Sequence, residues 1–266
     1  MHDLTTDPTA WDAVAATYDR SARPRLTEFS KEALRWAALT GDDEVLDVAC
    51  GPGTTTELAA AVARRVQSLD FSPKMIEQLR KNCATQGNVT ACVGDGQELP
   101  FPDQSFTAAF SMFGLMFFPN PHAGLQELHR VLKPGGRALI SSWVPMQDSP
   151  MMQPLGAALG RVLPEALRTP PRFAFQSAEE LADGLRAGGF SEVSVRTFSP
   201  IFPLPSAEHF WAESRETIFM TRMRSTLGHE WAAFETKILG ELRIELKGVK
   251  SLQMPGLIGL GRKLKE

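Results

Sequence analysis

The sequence predicts an α/β fold built on a parallel sheet, and two observations carry that prediction. From Asp42 to Val144, short apolar runs alternate with amphipathic stretches of about 10–15 residues, the pattern of repeated strand–helix–strand units. The first apolar run also leads straight into a glycine turn, Gly51-Pro52-Gly53, and then into a helical stretch. Right-handed crossovers put the carboxyl ends of parallel strands on one edge, where ligands bind.

The elements follow in order. Glu44 to Ala49 reads as a buried strand. Thr54 to Arg65 reads as a helix, with Thr54-x-x-Glu57 as a capping box at its start. Arg65 to Asp70 is a second strand. Ser72-Pro73 then opens a helix with a capping serine and a proline in its first turn, running to about Cys83. Val89 to Val93 and Phe106 to Met112 are the third and fourth strands. Pro121 to Leu132 is a helix, and Arg137 to Val144 a fifth strand. Beyond that, Ser149 to Leu163 reads as helical, and Ser177-x-x-Glu180 caps a helix ending at Gly188-Gly189. Glu192 to Phe198 is a sixth strand. Ala207 to about Lys247 reads as two helices broken near Gly228, and Ser251 to Leu260 as a final strand. The helical pair between the last two strands is expected to cap the ligand edge, the alternative being that it completes the core.

Composition limits the function classes. The 266 residues carry 28 Lys+Arg against 31 Asp+Glu, a net charge of −3, which disfavours binding to nucleic acid through bulk charge. Cys50, Cys83 and Cys92 form no CxxC pair and lie near no histidine at metal-ligand spacing, so no metal site is expected and the thiols suit a reducing, cytoplasmic setting. Residues 1–8 show no basic or apolar leader pattern. Gln104 to Gln126 is uncharged and long enough to span a bilayer, but Pro119, Asn120 and Pro121 would leave backbone groups unpaired there, so no membrane span is expected.

The chemistry centres on the glycine turn. A ligand can approach the backbone at Gly51 and Gly53 because no side chain intervenes, and the following helix N-terminus offers amide donors. A dinucleotide fingerprint would need a third glycine where Thr56 stands, which weakens a hydride-transfer reading. Asp70 ends the second strand, 23 residues after Asp47, where a carboxylate can accept both hydroxyls of a ribose. Asp95 ends the third strand, where it can accept from an exocyclic amine.

Four stretches in register resemble the class I S-adenosylmethionine-dependent methyltransferases, in particular the small-molecule branch of ubiquinone/menaquinone C-methyltransferase-like (methyltransferase type 11) proteins. They are Asp47-x-Ala49-x-Gly51-x-Gly53, Asp70-Phe71-Ser72-Pro73-x-Met75, the run from Gly94 to Phe106, and Glu127-x-x-Arg130 through Gly136. The resemblance implies a Rossmann-like seven-stranded, mostly parallel sheet with an antiparallel last strand and a helical cap. The chain is expected to form a single domain over residues 1–266, with an N-terminal helical lid (1–40), a cofactor-binding core (41–144), helical acceptor-side segments (145–190 and 205–248) and final strands (191–204 and 249–262). The resemblance also implies S-adenosyl-L-methionine as cofactor, with Ala49 among its binding residues, Gly51 and Gly53 against the methionine part, Asp70 on the ribose, and Asp95, Gly96 and Gln97 on the adenine. Phe71 and Met75 would line the adenine pocket, Ser111 would lie near the sulfonium, and Tyr18 would stand on the helix that closes over the cofactor. Ala49 replaces the family's usual first glycine by one methyl group.

Methyl transfer from a sulfonium is an in-line displacement with a neutral leaving group, so a base is needed only if the acceptor must lose a proton. His122, His129 and His209 are the candidate bases, and none is assigned as catalytic. The loop after the fourth strand lacks the Asn/Asp-Pro-Pro-aromatic motif of nucleic-acid amine methylases, and reads Ser111-Met112-Phe113-Gly114 instead. The apolar residues that follow point to an apolar or aromatic small-molecule acceptor, and exposed apolar residues of the later helices offer a homodimer face. The alternative is a non-methylating relative that uses the fold for cyclisation or as a cofactor-binding subunit.

Overall fold

The computed structural model describes residues 7–164, 167 and 173–265. Its elements are α1 (Pro8–Ser21), α2 (Arg23–Ala37), β1 (Glu44–Val48), α3 (Thr54–Ala60), β2 (Arg65–Asp70), α4 (Pro73–Asn82), β3 (Val89–Val93), β4 (Phe106–Met112), α5 (Pro121–Val131) and β5 (Leu132–Trp143). There follow α6 (Gln153–Val162), α7 (Ala178–Ala187), β6 (Ser191–Phe198), β7 (Ile201–Pro203), α8 (Ala207–Ser214), α9 (Ile218–Leu227), α10 (Trp231–Glu245), β8 (Ser251–Gln253) and β9 (Gly256–Arg262).

Seven strands form one sheet in the order β3-β2-β1-β4-β5-β9-β6. β1 pairs in parallel with β2 and β4, and β9 runs antiparallel to both β5 and β6, as the sequence led us to expect. The reversal of strand order between β1 and β4 opens a crevice at their carboxyl ends, the place where open α/β sheets bind ligands. Val45, Ala108, Phe110, Leu139 and Ile258 are fully buried between this sheet and Phe29 of α2. Such all-round apolar strands are what a sheet covered on both faces requires.

Two compact units emerge. The first holds the described residues up to Trp143, Phe173–Phe198 and the chain from Gly256. The second holds the described residues between Val144 and Pro164, with Leu167, and Ser199–Pro255, around a core of Phe210, Trp211, Phe234, Ile238 and Leu242. The helix expected in the acceptor-side segment, α7, belongs to the first unit. Residues 1–6, 165–166 and 168–172 of the expected lid and acceptor-side segments lie outside the described residues.

Three local expectations are corrected. The Thr54–Glu57 capping box does not form. The bend ends in Gly53 at φ 92°, so glycine takes the cap position, Thr54 is already helical with a buried hydroxyl that has no partner, and Glu57 pairs with Arg23. The stretch from Ala207 breaks twice, because Thr217 caps a new helix by accepting from the Met220 amide. The final strand is divided at Met254-Pro255, and its first part pairs with β7 as a separate ribbon. By contrast Ser72 and Ser177 cap α4 and α7 as expected, accepting from the Met75 and Glu180 amides.

One buried ion pair ties β1's entry to β5. Asp43 and Arg137 approach to 2.9 Å with side chains only 7% and 11% exposed. Burial works against the Asp43 carboxylate, but hydrogen bonds from Arg137, Thr107 and Thr40 outweigh it and lower its pKa to about 2. Arg137→Ala leaves that carboxylate buried and unpaired, so it is expected to cost about 3 kcal/mol of stability, read by chemical denaturation.

Candidate active site

The glycine bend positions the site. Ala49 (φ 53°) and Gly51 (φ 53°) both take left-handed backbone, turning the chain sharply between β1 and α3. A Cβ added at Gly51 would meet nothing within 4 Å, so the bend opens onto free space. That space is a cavity of about 230 Å³. Tyr18, Ala49, Gly51, Asp70, Phe71, Met75, Asp95, Gly96 and Gln97 line it, nine of the eleven positions expected from sequence.

Asp70 and Asp95 therefore share one cavity. Asp70 is buried, and its two carboxylate oxygens accept from the Ser72 amide (2.9 Å) and the Gly51 amide (2.8 Å). These bonds fix its orientation while leaving each oxygen a further lone pair. Asp95 is exposed and is held by Gln97, whose amide nitrogens donate to it at 2.8 and 3.0 Å. The Gln97 side-chain oxygen in turn accepts from the Asn120 amide, joining this loop to the start of α5.

The other two expected positions lie outside the cavity lining. At Gly53 a Cβ would stand 2.8 Å from Leu79 Cγ, so that glycine serves close packing of the bend on α4. Ser111 is fully buried under the bend, its hydroxyl has no hydrogen-bond partner, and a Cβ on Gly114 would come 3.0 Å from its oxygen. Trp11, Met112, Phe113, Phe117, Phe118 and Pro119, together with Leu69, Gly94 and Gly114, complete the wall and were not among the expected positions. For Phe113, Phe117 and Phe118 the apolar run after β4 was the available signal.

None of the three candidate histidines lines this cavity. His122 is exposed on α5 with its ring edge to Phe175. His129 packs on Phe190, and burial followed by the charge of Lys263 lowers its pKa. His209 belongs to the second unit, 3.6 Å from Glu213. Among the described residues no His/Cys/Asp/Glu cluster could hold a metal, and no helix is long and apolar enough to cross a membrane.

A family profile described as a methyltransferase domain matches residues 46–140. The demethylmenaquinone methyltransferase of Clavibacter sepedonicus is 32% identical over 212 residues, covering 71% of this chain and 84% of that one. The chain belongs to the class I S-adenosylmethionine-dependent methyltransferases. Solved structures agree with this methyltransferase in fold. The YcgJ protein of Bacillus subtilis superimposes with a TM-score of 0.61 at 17% identity, over 89% of this chain and 98% of that one. Phosphoethanolamine N-methyltransferase 2 of Haemonchus contortus, in complex with S-adenosylhomocysteine, gives 0.57 at 17% identity, over 90% and 53%.

The methyltransferase uses S-adenosylmethionine, and its residues fit that molecule. The open space beside Gly51 is a cradle that any side chain there would fill. Thr54 lines a smaller adjoining cavity of about 40 Å³ with its buried, unpartnered hydroxyl. Burial raises two carboxylates under the bend, Asp47 to about 7 and Asp70 to about 6. A carboxyl whose pKa rises on folding binds protons more tightly in the folded state, so its stabilising effect is fully present below about pH 4 and is lost as pH rises through 6 to 7. Ligand-free methyltransferase is thus expected to resist urea better near pH 5 than near pH 8, and Asp47→Asn to flatten that slope.

Proposed function

We propose that this enzyme transfers a methyl group to a largely apolar or aromatic small molecule. The observation that carries this reading is the composition of one wall. Trp11, Met112, Phe113, Phe117 and Phe118 line the same cavity as Asp70 and Gly51. Such a wall favours a flat apolar acceptor and adapts to it through Met112. Demethylmenaquinone, named in the relatives, is an acceptor of this class and the first to try.

In this reading Asp70 accepts the ribose hydroxyls, and Asp95, with Gly96 and Gln97, faces the adenine. Phe71 and Met75 pack on its ring, and Tyr18 covers the site from α1. Bound S-adenosylmethionine supplies an electrophilic methyl group and a neutral leaving group. The chain's own work is to align acceptor and methyl donor and to exclude water with its aromatic wall. No side chain is assigned as a general base, and an acceptor with an already nucleophilic atom needs none.

The test is release of S-adenosylhomocysteine with a panel of acceptors: a reduced demethylmenaquinone analogue, other apolar phenols, an oligonucleotide and a peptide. Turnover with the apolar aromatic members is expected. Turnover only with the oligonucleotide or peptide would overturn the reading, and ring closure with no S-adenosylhomocysteine released would favour the cyclising alternative.

A further inference from the structure

The helix that carries Trp11 and Tyr18 is fastened at a second face. Trp11 and Tyr18 are seven residues apart, two helical turns, and both line the cavity. Asp12 and Asp19 follow them at the same spacing, one position on, and both reach α4. Asp19 accepts from the side-chain amides of Gln78 (3.2 Å) and Asn82 (3.1 Å). Asp12 accepts from the Ser72 hydroxyl (2.5 Å) and the Lys74 amide (3.0 Å). Ser72 is also the residue whose amide donates to Asp70. A single serine thus joins a carboxylate on α1 to the carboxylate beside Gly51.

We propose that Asp12 is a positioning residue for the cofactor, fastening the Trp11–Tyr18 helix to the serine that anchors Asp70. The inference rests on the reading of Asp70 as the ribose ligand. Its content is that α1 and Asp70 act together. While Asp12 holds Ser72, Asp70 is fixed and the aromatic pair stays over the cavity; when α1 lifts, Ser72 loses one partner and the ligand can leave. Asp12 occupies the N-terminal end of α4, where free amides favour a carboxylate, so the attachment is electrostatically matched. Asp19 fastens the same helix farther along α4 and makes no bond to Ser72, which supplies an internal control.

The experiment is stopped-flow tryptophan fluorescence of S-adenosylhomocysteine dissociation from the full chain, with Trp11 at the cavity as reporter. Asp12→Ala is expected to raise the dissociation rate by about tenfold or more, since it removes the charged acceptor of both the Ser72 and the Lys74 bonds. Asp12→Asn keeps an acceptor oxygen and is expected to restore most of the wild-type rate. Asp19→Ala loosens the same helix and is expected to change the rate much less. Should Asp12→Ala fail to fold, Ser72→Ala breaks the same link from the other side, together with the cap that Ser72 gives the Met75 amide. Wild-type binding with an unchanged rate in Asp12→Ala or Ser72→Ala overturns the role of Asp12 alone, and so does an equal rise in Asp19→Ala. A wild-type chain that does not bind S-adenosylhomocysteine overturns the reading of the site and this role with it.

Discussion

Replacing Asp70 with alanine is expected to weaken binding of S-adenosylhomocysteine by about 100-fold or more, measured by calorimetry near neutral pH. The magnitude follows from losing two hydrogen bonds to a charged acceptor, each about 1.5–3 kcal/mol. Asp70→Asn keeps one oxygen and the shape but not the charge, and should fall between alanine and wild type. The pH dependence has a definite sign. Burial lifts the Asp70 pKa to about 6, so below that value the carboxyl is protonated and a poorer acceptor. Affinity should therefore decline as pH falls through 6. Ligand-free stability moves the other way over the same range, because the buried carboxylates fold more easily when neutral. A merely structural Asp70 would show the stability trend without the affinity trend.

The second large effect is at Gly51. Gly51→Val places two methyl groups in the space that a ligand needs. With no heavy atom within 4 Å of the added Cβ, the fold has little to clash with. The left-handed φ of 53° is strained for a β-branched residue, at a cost of about 1–2 kcal/mol. The expected result is a modest fall in melting temperature and loss of S-adenosylhomocysteine binding by about 100-fold or more. Gly53→Val should show the reverse balance, because its Cβ would stand 2.8 Å from Leu79 Cγ and the damage falls on packing of the bend against α4. Equal effects of the two substitutions on stability and binding would show that Gly51 is only a turn residue.

Much of this was legible in the sequence, for identifiable reasons. Strands such as Glu44–Val48 and Phe106–Met112 are buried on both faces, so they read as mostly apolar runs even with Asp47, Thr107 and Ser111 within them. Asp70 and Asp95 were found because strand ends in parallel sheets converge on one edge, and a residue at the end of a strand is thereby placed in space. The failures share a different cause. Thr54 looked like a cap because local pattern cannot show that Gly53 would turn left-handed and take that position. Ser111 was expected near the sulfonium from its place at the end of β4; its side chain is buried beside Gly114, which the strand pattern does not show. The tie from Asp12 to Ser72 spans 60 residues, and no periodicity in either helix encodes it. The separate β7–β8 ribbon was missed because three-residue strands carry too little pattern to recognise.

The most direct test of the central claim is a crystal structure of the enzyme with S-adenosylhomocysteine. The ribose hydroxyls should lie within hydrogen-bond distance of Asp70, the homocysteine part should run beside Gly51, and the adenine should face Asp95 and Gly96. A ligand bound elsewhere, or one that reaches this cavity without touching Asp70, would contradict it.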